Sequence, residues 1–117
     1  PVLAYCFDVA HNHLAGQRAD FVYDEFLQEL LPYIGSVHLW QTRHYDDYMT
    51  YHHLPLHPSQ SPDEGWVDIA RVVRTIHAAR PTASFILEYP GWFPEPWQHL
   101  DEREGVRWLG EILATSS

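Results

Sequence analysis

Leu3-Ala4-Tyr5-Cys6-Phe7-Asp8-Val9-Ala10-His11 opens with large and small residues in alternation and ends on an acid and a histidine. Alternate residues of a strand face opposite sides. Asp8 therefore shares a face with Ala4 and Cys6, while Leu3, Tyr5 and Phe7 make an apolar face. The same parity recurs twice. In Ser36 to Trp40, His38 goes with Ser36 and Trp40, against Val37 and Leu39. In Ser84 to Tyr89, Glu88 goes with Ser84 and Ile86, against Phe85 and Leu87. Three ionisable residues thus fall at or near the C-terminal ends of three predicted strands, away from the bulky face. In a (β/α)₈ barrel, catalytic residues collect at those ends.

Helices are expected between and after these strands. After a polar loop, Asp20 can cap a helix from Phe21 to about Leu31, with Phe26, Leu27, Leu30 and Leu31 as its apolar stripe and Pro32 and Gly35 beyond it. A long loop from Gln41 to Gly65 carries Pro55, Pro58 and Pro62, and loops of this length are functional or disordered more often than not. Ile69, Val72, Val73 and Ile76 give a second helix over Asp68 to Ala79. After breakers at Pro90, Gly91, Pro94 and Pro96, Asp101 and Glu104 make a capping-box-like start to a last helix. Its apolar face is expected at Val106, Leu109, Ile112 and Leu113. The β-α-β-α-β-α order predicts parallel strands with the helices as crossovers.

The chain has 117 residues, whereas a whole barrel needs roughly 250. With Pro1 rather than Met leading straight into a strand, residues 1–117 are expected to be a single partial domain. The expected fold is α/β, about three βα units from the C-terminal part of a barrel. Sixteen acidic residues against seven basic ones give a formal charge of −9, which argues against nucleic-acid and anionic-membrane partners, since those need clustered cations. All seven basic residues are arginines, so no Schiff-base lysine comes from this stretch. The single cysteine, Cys6, excludes an internal disulfide and fits a reducing, cytoplasmic compartment. No apolar run reaches the roughly 18 residues of a membrane span.

Each candidate site residue has a plain structural alternative. Asp8 can ligate a cation from a strand tip with His11 folding back over it, or it can cap a helix beside a surface histidine. His38 faces the proposed site, yet a buried histidine bonded to backbone would look the same. Glu88 follows Phe85-Ile86-Leu87 and precedes a Pro-Gly break; unpaired buried glutamate is rare, and pairing with an arginine is its alternative. In the long loop, Arg43, His52, His53 and His57 either reach the site or are solvated. Cys6 is a small core residue or a ligand. Trp40, Trp66, Trp92 and Trp97 pack as aromatics or wall a sugar pocket.

Together, Cys-Phe-Asp-Val-Ala-His (6–11), Val-His-Leu (37–39), His53-Leu-Pro-Leu with Gly65-Trp-Val-Asp-Ile, and Phe-Ile-Leu-Glu (85–88) resemble the xylose-isomerase-like barrel superfamily. That superfamily includes sugar-phosphate isomerases and epimerases and the endonuclease IV type of DNA-repair enzyme. The resemblance covers nearly all of the chain and places its strands sixth to eighth in the barrel. It implies a divalent metal (Mn²⁺, Mg²⁺, Co²⁺ or Zn²⁺) on Asp8, His38 and Glu88, with substrate contacts from His11, Arg43 and His53. It also implies a further glutamate on a fifth strand, sharing proton transfer with Glu88. The chain departs from the endonuclease pattern, since Tyr51-His52-His53 stands where Asp-x-His is expected; it also departs from the family's loop in general, since His57 stands where a glycine is common.

The expected activity is isomerisation or epimerisation of a sugar or sugar phosphate. Glu88 would be the catalytic base and the proton would pass through an enediolate. The small sugar would be the partner, with a homo-oligomer compatible. Two alternatives stand beside it. One is metal-dependent phosphodiester hydrolysis, with His11 and His53 holding extra metals. The other is a truncated or degenerate barrel that binds without turnover.

Overall fold

A computed structural model describes residues 4–17, 23–90, 93 and 95–115. Strands β1 (Tyr5–Asp8), β2 (Ile34–Leu39) and β3 (Ser84–Leu87) form one parallel sheet in the order β1-β2-β3. Helices α1 (Val9–Gly16) and α2 (Tyr23–Leu30) join β1 to β2. Helices α3 (Tyr45–Tyr51) and α4 (Ile69–Ala79) join β2 to β3, and α5 (Glu102–Thr115) follows. The molecule is thus a mixed α/β fold built on three parallel strands. No helix among the described residues is long and apolar enough to cross a membrane.

The alternation in the strands decides which face is covered. Phe7, Val37 and Leu39 are fully buried, packed with Leu27 of α2, Val72, Val73 and Ile76 of α4, and Ile112 of α5. On the other face Cys6, Ser84 and Ile86 are exposed, Ile86 at 43%. Burying one such apolar side chain stabilises by roughly 1.5–3 kcal/mol. A one-residue slip would exchange Val37 and Leu39 for Ser36 and His38 in the core, so the register is tightly set. Asp8 lies opposite His38, and His38 opposite Ile86. The sheet continues one step past β3, because Glu88 N–H donates to Leu39 O at 2.9 Å. The register shifts between Tyr5 and Cys6, opposite Gly35, where a side-chain carbon would stand 3.0 Å from Ala4 Cβ.

Several expectations are corrected. The polar loop after Asp8 is α1, which Asp8 caps by accepting from His11 N–H at 2.8 Å. Residues 41–65, expected as one loop without elements of its own, hold α3 and a 3₁₀ turn at Pro62–Glu64, and bury Leu54 and Leu56. Gln41 anchors this stretch. Its amide accepts from Thr42 N–H and Val67 N–H and donates to Val67 O, while its backbone bridges to Leu54. The capping box does not form. Asp101 accepts from Arg103 N–H, and Glu104 instead reaches His57 Nε2 at 2.9 Å. Val106 is exposed; α5 docks through Gly105, Leu109 and Ile112. The expected start of α2 at Asp20 and Phe21, along with Leu3, Gly91, Trp92 and Pro94, lies outside the described residues.

Candidate metal centre

Asp8, His38 and Glu88 each present one ligand atom, and these atoms lie within 4.8 Å of one another. All three side chains are half-buried. Parity puts them on the face away from the helices, and parallel pairing puts them at the same end of the sheet. His38 Nδ1 and Glu88 Oε2 are in direct contact. One imidazole nitrogen and two carboxylates suit borderline divalent cations, Mn²⁺, Co²⁺ or Zn²⁺, with Mg²⁺ at the oxygen-rich limit. The residues present therefore fit a divalent metal.

Around this triple lies an aromatic layer. Trp40 Nε1–H donates to both Asp8 oxygens, at 3.0 Å to Oδ1 and 3.2 Å to Oδ2. The His53 ring stacks on Trp40, centroids 3.8 Å apart and 5° from parallel. His53 Nδ1–H donates to Glu88 O at 2.6 Å, and the same nitrogen lies 3.5 Å from Glu88 Oε1. That bond leaves Nε2 as the acceptor nitrogen of a neutral His53. His11 sits in the first turn of α1 rather than on a loop, its ring edge-on to Trp40 at 4.8 Å and 5.9 Å from the His53 ring. Two of the three expected substrate contacts, His11 and His53, are thus grouped around Trp40.

Arg43 has other partners. Its guanidinium makes a two-point ion pair with Asp47 (2.8 and 3.1 Å) and lies over Trp66 at 4.9 Å and Trp97 at 5.0 Å. The remaining loop histidines are engaged locally. His44 pairs with Asp47, His57 bridges Ser59 and Glu104, and His52 ends α3 at φ 58°, a left-handed conformation. His13 Nε2–H donates to Gly65 O at 2.8 Å. Next to Glu88, the Tyr89 hydroxyl is buried with no partner among the described residues, and burial beside Glu102 pushes the phenol up to about 12. Cys6 is an exposed free thiol, two residues before Asp8 on the same face.

The link the sequence reading missed is Trp40 to Asp8. Its signal was present, since strand parity already placed Trp40 with His38. Comparison with protein-family models, curated proteins and solved structures finds no match.

Proposed function

We propose that this chain is the C-terminal part, three βα units, of a xylose-isomerase-like (β/α)₈ barrel, and that the parent enzyme is a metal-dependent sugar or sugar-phosphate isomerase or epimerase of the cytoplasm. The observation that carries the reading is the convergence of Asp8, His38 and Glu88 at the ends of three sequential parallel strands. The open sheet agrees with it. Parallel sheets are normally covered on both faces, whereas here the face with Cys6, Ser84 and Ile86 is exposed. A barrel would cover that face and pair the outer edges of β1 and β3.

Asp8, His38 and Glu88 would hold the cation, which when bound polarises a sugar carbonyl or hydroxyl pair. Glu88 takes the proton from the carbon beside that carbonyl. His53, by donating to Glu88 O, fixes the strand end that carries this base. His11 and His53 supply polar contacts to sugar hydroxyls. Arg43 contributes less directly, because its guanidinium is shared with Asp47 and two indoles. The free thiol of Cys6 is consistent with a reducing compartment.

The test is the intact enzyme against Glu88→Gln, assayed for bound divalent metal and for deuterium uptake from heavy water into an aldose or ketose. The expected result is loss of both. Equal metal content in the two proteins would remove Glu88 as a necessary ligand, and unchanged deuterium uptake would remove it as the base.

A further inference from the structure

We propose that Trp40 is a positioning residue that holds Asp8 as a one-oxygen metal donor through Oδ2, and so biases the site toward small borderline cations over calcium. The inference rests on the metal reading above. Oδ1 of Asp8 accepts His11 N–H at 2.8 Å and Trp40 Nε1–H at 3.0 Å. A carboxylate oxygen offers two lone-pair directions, so both of those on Oδ1 are used. Oδ2 receives only the longer 3.2 Å contact from the same indole N–H. It is the oxygen left to meet a cation alongside His38 and Glu88.

Neither donor can easily yield. His11 N–H belongs to the first turn of α1, so turning the carboxylate would uncap that helix. Trp40 is 0% exposed, with one face covered by the His53 ring at 3.8 Å and the His11 ring edge-on at 4.8 Å. Calcium favours six to eight oxygens and often takes carboxylates two oxygens at a time. A carboxylate locked to one free oxygen, next to an imidazole, serves Mn²⁺, Co²⁺ or Zn²⁺ better. The indole N–H thereby does more than fill space: with His11 N–H it occupies Oδ1 and leaves Oδ2 to bind.

The experiment replaces Trp40 with benzothienylalanine, which keeps the bicyclic shape and the stacking surface and removes the N–H donor. Trp40→Phe is the genetic counterpart. Co²⁺ and Ca²⁺ affinities are measured by calorimetry on the intact protein, with the cobalt visible spectrum as a report on ligand geometry. Loss of an outer-shell partner lowers metal affinity about 10- to 100-fold. Co²⁺ affinity should fall by that factor, Ca²⁺ affinity should hold or rise, and the cobalt bands should shift. Unchanged Co²⁺ affinity in the benzothienyl protein would overturn the role of the N–H. Equal losses for both ions would overturn it too, as they would mark a merely loosened fold. Wild-type protein that takes up no Co²⁺ is a separate result, visible without any variant, and it refutes the metal reading together with this one.

Discussion

Two glycines on α5 should respond in opposite directions to the same substitution. A side-chain carbon on Gly105 would stand 2.0 Å from Leu56 O and 2.9 Å from Leu56 C. Both are backbone atoms of a buried residue, so no rotamer change relieves the overlap. Restoring an ordinary contact of about 3.4 Å requires α5 or the loop to retreat by well over 1 Å, which in a close-packed interior disturbs Leu109 and Ile112 as well. Overpacking of this kind costs about 1–3 kcal/mol, and more where the backbone must move. Alanine's better helix propensity returns only about 1 kcal/mol. At Gly110 the added carbon meets nothing within 4 Å, so only the propensity gain of about 1 kcal/mol remains. Gly105→Ala should therefore lower stability by about 2 kcal/mol or more, and Gly110→Ala should raise it by up to about 1 kcal/mol. Urea unfolding of the two variants beside wild type reads the difference directly. Gly105→Ala as stable as Gly110→Ala would refute the close approach of α5 to the loop backbone.

Tyr89→Phe should be neutral or stabilising at pH 7, since it removes a buried hydroxyl without a partner. Wild type should also lose stability relative to that variant as pH climbs from 10 toward 12, because the unfolded phenol ionises first. Moving the phenol from 10 to about 12 corresponds in full to about 2.7 kcal/mol, and the half-buried ring leaves about half of that or less, on the order of 1 kcal/mol; parallel stability curves over that range would contradict the burial of the phenol. Arg103 holds the Asp101 carboxyl below its ordinary value, so its contribution is present above about pH 4 and fades as pH falls through the lowered value. The melting-temperature gap between wild type and Asp101→Asn should narrow from pH 7 to pH 3, and a constant gap would count against the pair. Residues 1–117 expressed alone should self-associate through unpaired strand edges. A monomeric species by sedimentation, with a cooperative melt and tight stoichiometric metal binding, would show a self-sufficient domain.

The strands and their facing were legible because one face had to be apolar. Phe7, Val37, Leu39, Phe85 and Leu87 alternate with mostly small or ionisable residues, Ile86 and Trp40 being the exceptions, and that period of two is the mark of a strand. The convergence of Asp8, His38 and Glu88 followed from the same parity. Helix α1 was missed because it has little apolar periodicity; only Val9 and Ala10 are buried, and its stability comes from the Asp8 cap and its place at the sheet's end. The long loop was missed for a related reason. Its order comes from single side chains such as Gln41 and Gln60 bonding to distant backbone, which leaves no periodic trace. The partners of Arg43 were not legible, because Trp66 and Trp97 reach it from distant parts of the chain. Glu104 was expected to reach back along its own helix, but a histidine 47 residues away in sequence competes for it.

The clasp formed by Gln41 separates the loop's ends from its contents. One side chain bonds to Thr42 at the exit of β2 and to Val67 at the approach to α4, so the gap between those points stays fixed whatever lies between. Lengthening a pinned loop adds only about 0.6 kcal/mol of closure entropy per doubling. Residues 43–66 can therefore be treated as an exchangeable cassette, provided that Leu54 and Leu56 keep their buried seats. Since His53 travels in that cassette, a recombined loop would change the ring stacked on Trp40 and the donor to Glu88 O, while the backbone ladder of β1, β2 and β3 keeps its register.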